Sequence, residues 1–159
     1  METIVVKIMD GEYRNRDATY NLINYVCRLK NMSLVGGYGV VLTGVEDVTR
    51  QFDIVRQVHG FKNEKQVMHF IFSVEPTLYL KPEHVKELAY MLGKYFANER
   101  QVLFAVHNDK ACLHIHMVVN TISFLNGSYK DYWAIDELKA YANMCLNKIV
   151  DRVWFGKII

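Results

Sequence analysis

Residues 101–122, QVLFAVHNDKACLHIHMVVNTI, hold two apolar runs separated by a short polar link. Both runs suit a buried pleated surface, and they predict strands over Gln101–His107 and Cys112–Ile122. A parallel pair needs a crossover of about a dozen residues, so so short a link predicts an antiparallel hairpin. Side chains alternate along a strand. Cys112, His114, His116, Val118 and Asn120 therefore share one face, and Leu113, Ile115, Met117 and Val119 share the other. His107 ends the partner strand, where a tight hairpin can bring it beside His114. Half of the chain's six histidines then converge on one point.

One histidine among apolar residues is ordinarily a hydrogen-bonded core residue. Three together are different, because burying unpaired imidazoles is costly. A divalent cation gives each ring a partner and leaves the second ring nitrogen to be held by a neighbour. Three neutral imidazoles also leave coordination positions open, which is the pattern of a catalytic metal site and not of a closed structural one. His107, His114 and His116 are the expected ligands. Cys112, on the same face, is either a small buried thiol or a fourth, thiolate ligand that would favour zinc.

The remaining pattern reads β-α-β-α-β-α-β-β-(β)-α. Residues 3–9 predict an opening strand, and Asp17 is a candidate cap for a helix marked by Ala18, Leu22, Tyr25, Val26 and Leu29. Residues 31–39 read as a loop, with Gly36, Gly37 and Gly39 as a flexible approach to a strand at Val40–Leu42. Helices are predicted over Val45–Val58, from Pro82 onward (Val85, Leu88, Ala89, Leu92, Phe96), and at the end of the chain (Ile135 to Ile149). Gln66–Val74 predicts a buried strand, and Asn126-Gly127 a turn leading into a short one. The expected class is α+β, a central antiparallel or mixed sheet with helices packed on it, in a single domain spanning 1–159.

Composition narrows the functional classes. An apolar fraction of 51% excludes a disordered chain. Three cysteines without framework spacing point to a reduced compartment. No apolar run approaches the ~20 residues of a membrane span, and no signal-peptide pattern opens the chain, so a cytoplasmic protein without a membrane partner is expected. The net charge of +2 does not by itself indicate nucleic acid. Positive charge is nevertheless grouped at Arg14 and Arg16, at Arg28 and Lys30, and at Lys148, Arg152 and Lys157, which as they stand read as solvated element ends.

The stretch HNDKACLHIHMVVN resembles the third motif of conjugative relaxases, the mobilisation nucleases of the HUH superfamily. His107, Asp109, His114, His116 and Asn120 all fall on that pattern, and Cys112 stands where another histidine is common. MHFIFSVEP and KPEHVKELAYMLGKYF resemble the strand and helix that precede it, and NLINYV resembles the first motif, which carries a nucleophilic tyrosine. The likeness covers residues of about 17–150. It implies a relaxase fold with a palm- or RRM-like topology. It also implies nicking of single-stranded DNA at an origin of transfer, with accessory relaxosome proteins as further partners. Tyr25 would attack the scissile phosphate and keep a 5′-phosphotyrosine link. The metal would be manganese or magnesium, with zinc or nickel as alternatives that imidazoles also suit.

Without that likeness Tyr25 reads first as an ordinary core tyrosine on its helix stripe. With it, Tyr20 is the nearest competitor and Tyr13 a more distant one. Asp109 is expected near the reaction as a catalytic carboxylate, or as a support for a histidine N–H or the hairpin turn. His69 shares its strand face with Val67, Ile71 and Ser73, as a core residue, a support for a metal-binding ring or a phosphate contact. Asn120 lies ~13 Å along the strand from His116, too far to ligate but suited to bonding DNA or a neighbouring loop. Arg14, Arg16, Arg28 and Lys30 bracket the Tyr25 helix and are the expected phosphate contacts. Competing functions are a related HUH rolling-circle initiator or transposase, a DNA-binding accessory module that does not nick, and a metal-dependent hydrolase using activated water.

Overall fold

The computed structural model describes residues 4–28, 34–108 and 111–156. Within them, five strands form one sheet: β1 (Ile4–Ile8), β2 (Val35–Tyr38), β3 (Val67–Val74), β4 (Val102–His107) and β5 (His114–Asn120). Their order is β1-β3-β5-β4-β2, and every neighbouring pair is antiparallel, so the sheet is antiparallel throughout and not mixed. The helices are α1 (Ala18–Val26), α2 (Val45–Val58), α3 (Pro82–Ala97) and α4 (Ile135–Phe155). The expected α+β class is the one observed.

Strand alternation divides the sheet into two faces with different fates. Met68, Phe70, Phe72 and Val74 of β3 join Ile115, Met117 and Val119 of β5 in the larger core, against α3 and α4. Burying each such side chain stabilises by about 1.5–3 kcal/mol, which makes this face the main source of stability. Val67, Leu103, Ala105 and Val118 point the other way, onto Leu22, Ile23 and Val26 of α1 and Val48 and Phe52 of α2. That second layer leaves β1 uncovered: Val5 is 51% exposed and Lys7 is exposed. An open margin therefore remains beside the end of α1.

The helix starts follow from local chemistry. Pro82 takes the first helical turn of α3, where its missing N–H costs nothing, and His84 Nδ1 accepts the Lys81 N–H at 3.1 Å. Asp17 stands at the N-cap position of α1 but makes no side-chain capping bond. Asn126-Gly127 makes its predicted turn, Gly127 having φ 73°, and the returning segment meets Ile122 in a single bridge at Tyr129.

The glycine-rich segment differs from expectation. Gly36 and Gly37 lie inside β2, and Val40–Leu42 is not a strand, Val41 being 65% exposed. The cause is close approach. A Cβ on Gly36 would sit 2.4 Å from the Phe104 ring and 2.6 Å from the Tyr90 hydroxyl, and one on Gly37 would sit 2.4 Å from the Val102 carbonyl oxygen. Only glycine lets this edge strand pair with β4 beneath those rings. Gly37→Ala must push backbone from backbone, so a stability loss of about 2 kcal/mol is expected by chemical denaturation. A wild-type midpoint would refute the close-approach account.

Candidate active site

The hairpin register sets His107 directly opposite His114, with His116 opposite Ala105. The three rings pack together, their centroids 4.1 Å (His107–His116), 5.1 Å (His114–His116) and 5.2 Å (His107–His114) apart. All three are buried, and one ligand-capable nitrogen from each lies within 4.8 Å of the others.

Their neighbours determine which nitrogen is basic. A carbonyl can only accept, so His107 donates Nε2–H to Val26 O at 2.8 Å and His114 donates Nδ1–H to Cys112 O at 3.1 Å. The lone pairs then belong to His107 Nδ1 and His114 Nε2. His116 Nδ1 lies 2.9 Å from His69 Nε2. With His116 donating, its Nε2 is also basic, and His69 turns Nδ1–H towards the Tyr13 hydroxyl, 3.5 Å away. Three rings with one nitrogen tethered and one basic form the donor set of a metal-binding imidazole cluster, so these residues fit a divalent cation. Burial holds His69 down at about 4, helped by the neighbouring His107. Burial holds His116 at about 3, helped by His107, His69, His114 and Arg28. Both rings are therefore neutral near pH 7, the form a cation requires.

Tyr25 sits at the margin of the α1 stripe. Leu22, Ile23 and Val26 are buried, whereas Tyr25 is 43% exposed. Its ring lies edge-on to His116, with centroids 5.7 Å apart, and 6.4 Å from His69. The Arg28 guanidinium stands 5.0 Å from the centre of the Tyr25 ring. Tyr25, Arg28, His114 and His116 line one open cleft of about 410 Å³ with Lys7, Ser73 and Cys112.

Lys7 and Ser73 are the members that sequence reading missed. Lys7 faces outward in the buried-exposed alternation of β1, but it reaches the site only because it pairs with Ile71, which pairs with His116. Long-range pairing has no local signature. Cys112 lines the cleft as a part-exposed thiol, and it is the Cys112 carbonyl that holds His114. Cys27 is half-enclosed beside the end of α1, where burial pushes its thiol up to about 11.

Other expected residues lie apart. Arg14 and Arg16 are exposed before α1, about 13 Å from its Tyr25 end by helical rise, and Arg16 borders a separate depression with Asp53 and Arg56. Asp109 and Lys30 lie outside the described residues. Asn120 shares the histidine face but is fully buried. Its amide donates to Phe52 O (3.2 Å) and Gln101 Oε1 (2.9 Å), and its oxygen accepts the Ile122 N–H (3.2 Å). Of the two partners the sequence left open, the chain's own backbone holds it, since α2 covers that end of β5 and leaves no room for DNA. Tyr20 lines a different surface hollow, with Thr43, Asp47 and Arg50.

The family model for the relaxase MobA/VirD2-like nuclease domain matches residues 25–148, more than three-quarters of the chain. The chain belongs to this relaxase nuclease family, whose members nick DNA during mobilisation, bind single-stranded DNA and generally depend on a metal. Comparison with curated proteins finds no match. Among the described residues, no helix is long and apolar enough to cross a membrane.

Asn120→Ala strands buried partners on three sides, at about 1–3 kcal/mol for each unmatched group, so a stability loss of about 3 kcal/mol is expected by urea denaturation. Unchanged stability would show that the amide is dispensable. In metal-free protein, His69 and His116 stay neutral when folded but take up protons near pH 6.5 when unfolded. The unfolded chain then binds more protons, so the urea midpoint should fall from pH 7 to pH 5. The fall should be shallower in His69→Gln, and an equal slope in the two proteins would contradict the low His69 value.

Proposed function

We propose that the chain nicks one strand of DNA at an origin of transfer by metal-dependent tyrosine transesterification. The observation that carries this reading is Tyr25: half-exposed, edge-on to His116 at 5.7 Å, in the cleft that also holds His114 and Arg28. The phenolic oxygen of Tyr25 attacks the scissile phosphorus and forms a P–O bond. The bond to the 3′ oxygen breaks, and the strand end leaves as a 3′-hydroxyl, gaining a proton as the phenol loses one. The product is a 5′-phosphotyrosine, and because a phenolate leaves more readily than an alkoxide, attack by a 3′-hydroxyl reverses the step.

Arg28, over the Tyr25 ring, and Lys7, across the cleft, pair with phosphate oxygens of the bound strand. A divalent cation held by His107, His114 and His116 would polarise a phosphate oxygen and stabilise the charge that develops there. His69 acts through His116, keeping that ring's basic nitrogen turned inward. Tyr20, in a separate hollow, is the weaker candidate for nucleophile.

A labelled single-stranded oligonucleotide pool incubated with Mn²⁺ or Mg²⁺ is expected to yield cut product and a covalent protein adduct. Tyr25→Phe should abolish the adduct, and His69→Ala should lower metal affinity about 10- to 100-fold. An adduct that persists in Tyr25→Phe would overturn the nucleophile. Cutting without any adduct would favour hydrolysis by activated water, and tight binding without cutting would favour an accessory module.

A further inference from the structure

A second hollow adjoins the active-site cleft. Ala111 borders both the cleft and this hollow of about 290 Å³, which is lined by Glu75, Pro76, Tyr79, Leu80 and Leu113. The two meet at the end of the sheet. There Ser73 pairs with His114 on the histidine side, while the next residue, Val74, donates its N–H to Leu113 O at 2.9 Å. By strand alternation, Val74 and Leu113 face the opposite side. The strand ends beside Ala111 are thus the shortest way from the cleft to the second hollow.

Tyr79 is the prominent group in that hollow. It is 83% exposed and its backbone is left-handed, with φ 52°, a conformation in which tyrosine is uncommon. The backbone is fixed there. The Tyr79 N–H bonds Pro76 O at 3.1 Å, and Trp154 Nε1–H bonds the adjacent Leu78 O at 3.0 Å. Among the described residues, the only charged side chain lining the hollow is the carboxylate of Glu75, which repels phosphate. An exposed ring beside apolar walls and a carboxylate suits the face of a nucleobase and not the sugar–phosphate backbone.

Resting on the reading of the cleft as a single-strand DNA site, we propose that Tyr79 is a stacking platform for a base of the substrate strand where it runs on beyond the cleft. Stacking on an aromatic ring adds affinity with little dependence on base identity. The backbone that carries the ring is already held by the Pro76 and Trp154 bonds, so the ring's own rotamers are what binding has to order.

The test measures binding of the full chain, in EDTA so that nothing is cut, by fluorescence anisotropy. One probe is a labelled mixed-sequence single-stranded 20-mer, and the other is an abasic oligonucleotide of equal length and charge. Tyr79→Ala is expected to weaken binding of the 20-mer about ten-fold, leave binding of the abasic strand unchanged, and melt as wild type does. Tyr79→Trp should restore 20-mer binding. If Tyr79→Ala binds the 20-mer as tightly as wild type, or loses both probes equally, the stacking role is overturned while the single-strand reading stands. If wild type binds neither probe, the reading of the cleft falls and the stacking proposal falls with it.

Discussion

One hydrogen bond joins the two halves of this site. His107 Nε2–H donates to the Val26 carbonyl at 2.8 Å. Val26 is the last residue of α1, and a helix end leaves its final carbonyls without partners inside the helix. His107 satisfies one of them from the end of β4. The same contact fixes which nitrogen of His107 is basic, ties α1 to the sheet, and holds Tyr25, the preceding residue, against His116. Ligand chemistry and tyrosine placement thus share a single constraint, and neither can shift without the other.

The rest of the molecule divides labour between the two sheet faces. α3 and α4 cover one face over nearly its full width with an apolar core, and that face supplies most of the stability. On the other face α1 and α2 stop short of β1, and the polar groups Lys7, Ser73, His69, His114 and His116 collect along the boundary between covered and open sheet. The rings of His107, His114 and His116 would be expensive to bury alone. Each is held instead by a carbonyl or by another ring, through His107–Val26, His114–Cys112 and His116–His69.

The histidine hairpin was legible in the sequence because alternation and a short link are local properties, and they place His107, His114 and His116 together without knowledge of any other element. Depth was not legible. Alternation assigned Asn120 to the histidine face but could not show that α2 lies over it, so the choice between a DNA contact and a bond within the protein stayed open. The glycines of β2 misled for a similar reason, since their meaning lies in Tyr90 and Phe104, residues far along the chain. Lys7 was missed because the pairing of β1 with β3 leaves no mark near either strand. Among the arginines, the one nearest Tyr25 in sequence is the one that reaches the cleft: Arg28 lines it, whereas Arg14 and Arg16 sit at the far end of α1.

The alternation of β5 also guards the assembly of the sheet. Its imidazoles and its apolar residues occupy adjacent positions, His114 and His116 beside Ile115 and Met117. Slippage by one residue against β3 or β4 would exchange the two sets. The imidazoles would then enter the apolar core around Phe70 and Phe104, and Ile115 and Met117 would be turned towards the cleft. A misregistered hairpin loses core and site together, so the residues that serve chemistry also proofread the fold that displays them.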